Sequence, residues 1–330
     1  MRITFIGVGH WHATEFYLPA LLAQGHEIVC ISDPAPETID RVASEMNLDC
    51  PAYTDFRKLL DEVEADFVFA GAPHADMTEI AAELVERGLP FHMEKPMGVD
   101  WRELAPVAAQ AESKHLFTST ALVSRYFGVP AKLGELRQSG QLGVPCHYYY
   151  RLFAESPDRY REVGCEWMLD PARAGAGPLF NFGPHIIDLF IHLIDEVGEV
   201  TARWSHAVHG EEIEDHTSLM MVGRQTGAIG VGEVAYTMPE GYERYFSVTT
   251  DRLQVAGEMS EQPIMLRDGS QAATPGVDPS MMYAYYVEDT LRRFEAGEPA
   301  IATIADMLPV LRVMNAAVES ARDGATVGID

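Results

Sequence analysis

Lysine is scarce in this chain, four among 24 basic residues, and one of the four, Lys95, stands between a glutamate and a proline in FHMEKPMG. It follows directly on an apolar, strand-like run, LPFHM (89–93). A partly desolvated lysine can lose its proton near neutral pH, which an arginine cannot. A site that moves protons would therefore use the one and not the other. The bland reading is a loop lysine paired with Glu94, and for an isolated E-K-P tripeptide it is the simpler one. A second stretch argues against isolation. GAGPLFNFGPHIIDLFIHL (175–193) sets Asn181, Gly183 and His185 in an N-x-G-x-H arrangement that opens a helix. His185 has the titration range of a general acid–base. Asp188, three residues on and on the same face, either orients it or satisfies a buried backbone or an adjacent domain contact. His185, Asp188 and His192 also share a face at metal-ligand spacing. The apolar segment around them favours a packed His192, and no metal is expected.

A third candidate is the turn GVGHWH, which ends the first apolar run with Gly7 and Gly9 and puts His12 at the third glycine position of G-x-G-x-x-G. In that motif the first glycine makes the turn, the second lets backbone approach a pyrophosphate, and the third lets helix and strand pack closely. A histidine in third place is expected to hold the helix away from the strand, and Pro19 to delay or kink that helix. The rings of His10, Trp11 and His12 would flank a bound cofactor or pack beneath it. The second strand ends in Asp33, 24 residues beyond Gly9, close to the spacing at which an acid grips the adenosine ribose diol. Pro34 and Ala35 follow it instead of an arginine, so NAD is expected rather than NADP. The alternative is an aspartate that caps the helix beginning near Pro36.

Those residues need elements to hold them. RITFIGVG (2–9), HEIVCIS (26–32), DFVFAGA (66–72), LPFHM (89–93) and HLFTST (115–120) read as buried strands separated by helix-length connections, the pattern of a parallel sheet with helices on both faces. The spans 77–88 and 100–114 read as helices, the second capped by Asp100 and bent or split at Pro106. Beyond residue 120 strand follows strand, at 144–153, 200–210, 216–224, 227–237, 244–251 and 253–257, as in a largely antiparallel sheet. Helices at 279–297 and 304–324 close the chain. The fold class is thus a Rossmann-type, doubly wound α/β domain (1–120) followed by an α+β domain with a large, open, mostly antiparallel sheet (121–330).

With 330 residues, 47% of them apolar and 22% charged, the chain is expected to form two globular cores. No apolar run approaches the length of a membrane span. The N-terminus shows Arg2 and then a short apolar run leading straight into glycines, unlike a signal peptide, and a cytoplasmic protein is expected. The formal charge of −26 would repel nucleic acid or an anionic membrane surface. Four scattered cysteines without a C-x-x-C pair suggest buried thiols.

Taken in order, the glycine turn, Asp33, EKP and NFGPHIID resemble the glucose–fructose oxidoreductase, inositol dehydrogenase and MocA family. DFVFAGAPHADMTEIAAELVERGLPFHMEKPMG is similar to its strand, proline loop, helix and E-K-P block, and EWMLDPARAGAGPLFNFGPHIIDLFIHL to its signature helix. The resemblance implies a pyridine-nucleotide oxidoreductase acting on a sugar, cyclitol or related polyol, as a homodimer or homotetramer built through the second-domain sheet. It implies that Lys95 lies near the nicotinamide and substrate and that His185 is the acid–base histidine. Pro73, with Ala72 and His74 beside it, and Glu94 would line the cofactor. Arg125, Tyr126 and Arg151 become substrate-side candidates by their placement after the first domain. Two further departures stand out beside His12: Asn181 replaces the family's aspartate, and Met77 stands where many members carry a histidine. An amide can orient a substrate hydroxyl but cannot take its proton, which leaves Lys95 and His185 to divide that work. Two rival readings are an enzyme that retains NAD while cleaving a glycoside or eliminating a group, and a non-catalytic sensor of dinucleotide or sugar.

Overall fold

A computed structural model describes residues 1–329. Strands β1 (Arg2–Ile6), β2 (Glu27–Ser32), β3 (Ala52–Tyr53), β4 (Phe67–Ala70), β5 (Phe91–Met93) and β6 (Thr118–Thr120) form one sheet in the order β3-β2-β1-β4-β5-β6. Every pairing in it is parallel. Strands β4, β5 and β6 are buried at every position, as helices on both faces require. The five expected strands are present, each shorter than its apolar run. The helix beginning near Pro36 is present as Pro36–Glu45, whereas β3 and the helix Phe56–Glu62 were not anticipated; a two-residue strand carries no periodicity to read.

The order of this sheet puts the ends of β1, β2, β4 and β5 side by side, which is where an open parallel sheet binds ligands. The turn after β1 is tight. Gly7 has φ +74°, and a Cβ there would lie 1.7 Å from the carbonyl oxygen of Gly71, so no other residue fits without moving β1 away from β4. A Gly7→Ala variant is expected to lose about 3 kcal/mol in urea unfolding, from the left-handed backbone and the clash together, and to lose dinucleotide binding with it. The connection to β2 starts as a π-helical turn, Ala13–Tyr17, and becomes an α-helix only at Leu18–Ala23, in keeping with His12 and Pro19. The Trp101–Ser113 helix has the Asp100 cap, its carboxylate accepting from the Arg102 amide at 2.9 Å. It runs unbroken through Pro106 and so is not split there. Arg102 and Pro106 are both exposed, so the carbonyl that Pro106 leaves without a partner faces solvent.

Nine strands make the second sheet: β7 (Pro145–Glu155), β8 (Val197–Ser205), β9 (His216–Gly223), β10 (Ile229–Met238), β11 (Tyr242–Thr250), β12 (Leu253–Glu258), β13 (Ile264–Leu266), β14 (Gln271–Ala272) and β15 (Val327–Gly328). Their order is β14-β13-β12-β11-β7-β10-β9-β8-β15. All pairs are antiparallel except β7 with β10 at the centre, because the chain leaves β7, forms a long helix and two strands, and re-enters beside it. The long helix, Pro178–Leu193, covers one face. Gly230 and Gly232, at alternate positions of β10, let it lie close: a Cβ on either would come within 2.6 Å of Phe190 or Ile186.

The helix Met282–Ala296 returns to the first sheet. Its Tyr286 hydroxyl lies 2.7 Å from Ser119 Oγ and 2.9 Å from His92 Nδ1, and Phe294 packs edge-on against Phe67. The helix Ile304–Asp323 runs between both units, with Asn315 bonded to Trp101 and Ser320 to Ala202. These long-range anchors close a cleft between the two sheets.

Candidate active site

Lys95 follows β5 and is only 3% exposed. Its Nζ donates to the Asn181 side-chain oxygen at 2.6 Å and to the Asn181 carbonyl at 3.0 Å. The two motifs that the sequence separates by 86 positions are therefore in direct contact. Burial lowers the Lys95 ammonium to about 8, against the opposing pull of Glu94. A lysine so placed can hold or release a proton close to neutral pH. Burial also lowers His185 to about 3, with the Lys95 charge adding to it. Its imidazole is thus neutral, and its Nδ1 is buried without a hydrogen-bond partner. Both residues line one cleft, together with Trp11, His12, Asn181 and Tyr242.

Glu94 lies behind Lys95 and reaches neither cavity. Its carboxylate accepts from His12 Nδ1 at 2.6 Å, from the Tyr17 hydroxyl, and from the Lys95 amide at 3.1 Å. Burial opposes its charge, but the His12 partnership prevails and holds the carboxyl well below the ordinary range. His12, where a third glycine would stand, thereby ties the first helix to the end of β5. Ligand atoms of His10, His12 and Glu94 come within 4.8 Å of one another, but the His12–Glu94 contact is a hydrogen bond and the Lys95 charge disfavours a cation there. Of the three residues that share a face at ligand spacing, His185, Asp188 and His192, Asp188 turns to Arg125.

A second cavity opens beside the first at the ends of β1, β2 and β4. Gly7, Gly9, His10, Asp33, Ala72 and Pro73 line it, as expected, and Trp167 and Arg173 of the later segment close it. Asp33 accepts from the Gly9 amide at 2.8 Å and from the Ala35 amide at 3.1 Å. The Pro36–Glu45 helix itself has no side-chain cap. The residues fit the adenosine half of a nicotinamide dinucleotide: a carboxylate for a ribose diol, Pro34 and Ile80 as apolar walls, and bare glycine backbone beside them.

Several expected residues lie elsewhere. Trp11 and His12 face the Lys95 cleft rather than the nucleotide cavity. His74 is buried, with Nδ1 on the Ala174 carbonyl at 2.8 Å and Trp167 edge-on to its ring, so it joins the two units instead of lining the cavity. Arg125, Tyr126 and Arg151 do not line the cleft. Arg125 is held by Asp188, Asp306 and the Ile301 carbonyl. Tyr126 donates to Asp289 at 2.7 Å. Arg151 pairs with Glu243 on the outer face of the second sheet, while its neighbour Leu152 points inward. The groups that sequence reasoning missed are Arg159, Tyr160, Tyr242, Arg244 and Tyr283. Asn181 Nδ2 donates to the Tyr160 hydroxyl at 2.7 Å, and Tyr160 to Tyr236 at 3.1 Å. Only Tyr242 and Arg244, two apart on β11 and so on one face, left a signal that could have been used.

A parallel sheet of this order, with a glycine turn and an acid at its nucleotide cavity and a buried lysine facing a histidine beside it, defines a dinucleotide-dependent oxidoreductase. Residues 1–121 match the model for the oxidoreductase family with NAD-binding Rossmann fold, and residues 131–259 match the GFO/IDH/MocA C-terminal domain. The chain belongs to the GFO/IDH/MocA oxidoreductase family. It is 26% identical over 328 residues to D-xylose 1-dehydrogenase (NADP(+)) 2 of Haloferax volcanii, covering 95% of each. It is 25% identical over 219 residues to inositol 2-dehydrogenase 4 of Saccharopolyspora erythraea, covering 64% of this chain and 55% of that one. Among solved structures, levoglucosan dehydrogenase with NADH and levoglucosan superposes with a TM-score of 0.86 at 18% identity, over 100% of this chain and 99% of that one. An Agrobacterium radiobacter oxidoreductase in complex with NAD+, L-tartaric acid and magnesium gives 0.83 at 17%, over 100% and 98%. At that identity the likeness establishes the fold.

Proposed function

We propose that this protein transfers a hydride reversibly between a hydroxyl-bearing carbon of a sugar, cyclitol or related polyol and a nicotinamide dinucleotide, NAD in preference to NADP. The single observation that carries the reading is the buried Lys95 ammonium, poised near neutrality and facing a neutral His185 in a cleft beside the nucleotide cavity. The bound dinucleotide supplies the hydride acceptor or donor. Lys95 and His185 bind the reacting oxygen and exchange its proton. Asn181 holds Lys95 in position through its oxygen and is itself held by Tyr160 through its nitrogen. The carboxylate of Asp33, with Pro34 and Ala35 beside it, favours a ribose diol over a 2′-phosphate; relatives include NADP(+) enzymes, so both cofactors belong in the assay. Residues 1–120 form the nucleotide unit and 121–330 the substrate unit in this reading. Formation of NADH or NADPH with a panel of sugars and cyclitols is the test, and glycoside cleavage without net reduction would overturn it.

The Asn181 contact makes a sharper prediction. In the oxidation direction the neutral amine of Lys95 takes the proton, so the rate rises with pH through about 8. Asn181→Asp places a carboxylate on the ammonium, stabilises the charged form, and should move that limb up by about 1–3 pH units. A limb that stays in place would show that Lys95 does not control it.

Self-association through the second sheet is part of the same proposal. Met220, Ile229, Tyr245 and Met265 are each about two-fifths exposed on its strands, an apolar presence that a partner sheet would cover. Sedimentation should show a dimer or tetramer, and Met220→Glu with Ile229→Glu should dissociate it. The four free thiols fit a reducing compartment such as the cytoplasm.

A further inference from the structure

We propose that the substrate carries a carboxylate in addition to its reacting hydroxyl, and that Arg244 is the residue that selects it. This rests on the oxidoreductase reading above and names the chemical class of its substrate. The sequence has 50 acidic residues in 330. Among the described residues, however, no aspartate or glutamate lines the Lys95 cleft, whereas Lys95 and Arg244 both do. With Glu94 set behind Lys95 and paired to His12, the groups that an entering ligand meets are neutral or cationic, Lys95 and Arg244 among them.

The side chain of Arg244 has no ion pair and no hydrogen bond among the described residues. Its guanidinium rests 4.8 Å from the ring centre of Tyr242 and 5.9 Å from that of Phe127. Tyr242 also carries a second guanidinium: Arg159 donates to its hydroxyl at 2.6 Å and lies 5.3 Å from its ring centre. Arg159 likewise has no carboxylate partner, and its Nε is buried without a hydrogen-bond acceptor. Two like charges therefore share one aromatic ring; Arg159 also has the Tyr242 and Tyr160 hydroxyls and lies in the field of Glu15, whereas Arg244 has aromatic contact alone, which compensates a guanidinium weakly. A carboxylate in the cleft would supply the missing charge and could accept the paired N–H groups of Arg244 side by side, the geometry in which arginine recognises carboxylates. Phosphate offers the same anion chemistry in a larger, doubly charged form, and the experiment separates the two.

The probes are D-glucose, D-glucuronate and D-glucose 6-phosphate. Each is titrated calorimetrically into NADH-saturated protein and assayed for NADH formation with NAD. The wild type is expected to bind glucuronate about tenfold or more tighter than glucose and at least as well as the phosphate. In Arg244→Met the ratio of glucuronate to glucose affinity should fall to about one, and Arg244→Lys should restore part of it. Unchanged NADH binding in the variants reports an intact fold. Glucose bound as tightly as glucuronate, or a ratio unaffected by Arg244→Met, overturns the proposal; preference for the phosphate overturns the carboxylate assignment. Selective glucuronate binding without NADH formation from any probe would count against the hydride-transfer reading and leave the Arg244 site standing.

Discussion

Replacing Lys95 with methionine lowers turnover by about 10²–10⁴, the range for loss of a positioned proton-transfer group, while the dinucleotide dissociation constant changes by no more than a few fold. The two effects separate because Lys95 lies in the cleft with His185, whereas Gly7, Gly9 and Asp33 line the neighbouring cavity. The pH limb near 8 should vanish with it. Stability should not suffer. The ammonium is 3% exposed and depressed by burial, so an apolar chain of similar length relieves a desolvation penalty and offsets the loss of the Asn181 contact. Steady-state kinetics and dinucleotide fluorescence titration on the same preparation, with a thermal midpoint, make the comparison. Turnover undiminished in Lys95→Met would remove the chemical core of the reading.

Replacing Asp188 with alanine does the reverse, costing about 3–5 kcal/mol of stability by urea unfolding with turnover per folded molecule kept within a few fold. Asp188 is 1% exposed and accepts from Arg125 Nε at 2.9 Å and Nη2 at 2.6 Å. That guanidinium also holds Asp306 at 3.0 Å and the Ile301 carbonyl at 2.6 Å. One ion cluster thus joins the turn after β6, the 178–193 helix and the start of the last helix. Without Asp188 a buried guanidinium keeps only its more exposed partners. Asp188→Asn, which preserves shape and one acceptor, should lose less. A large fall in turnover with unchanged stability would instead mean that Asp188 acts on His185.

The candidate chemistry was legible in the chain to the extent that residue type and local spacing carry it. Lys95 stood out because lysine is rare here and follows an apolar strand; Asn181 and His185 because a polar triplet opens an otherwise apolar helix. Gly7, Gly9 and Asp33 were readable because strand ends and tight turns leave local marks. Arg125 shows the limit. An arginine just past the first domain reads equally well as a substrate group or as a buried ion, and only Asp188 and Asp306, 63 and 181 positions away, decide. Arg159 and Tyr160 open a one-turn helix, Arg159–Glu162, too short to show a period, so nothing in the sequence aims Tyr160 at Asn181. The centre of the second sheet was hidden for a related reason: alternation reveals a half-buried strand but not its neighbour, and β7 pairs in parallel with β10 about 80 residues later.

By itself the sequence determined most of the longer strands and helices, where the glycine turn and its acid fall, and that a titratable lysine and histidine are on offer, because each of these depends on residues within a few positions of one another. The tertiary structure alone decided that Lys95 meets Asn181, that the 282–296 helix covers the first sheet rather than the second, and that the lining of the cleft has Lys95 and Arg244 but no acid. Those outcomes depend on which buried faces meet, and a periodic pattern states that a face is buried without stating what covers it.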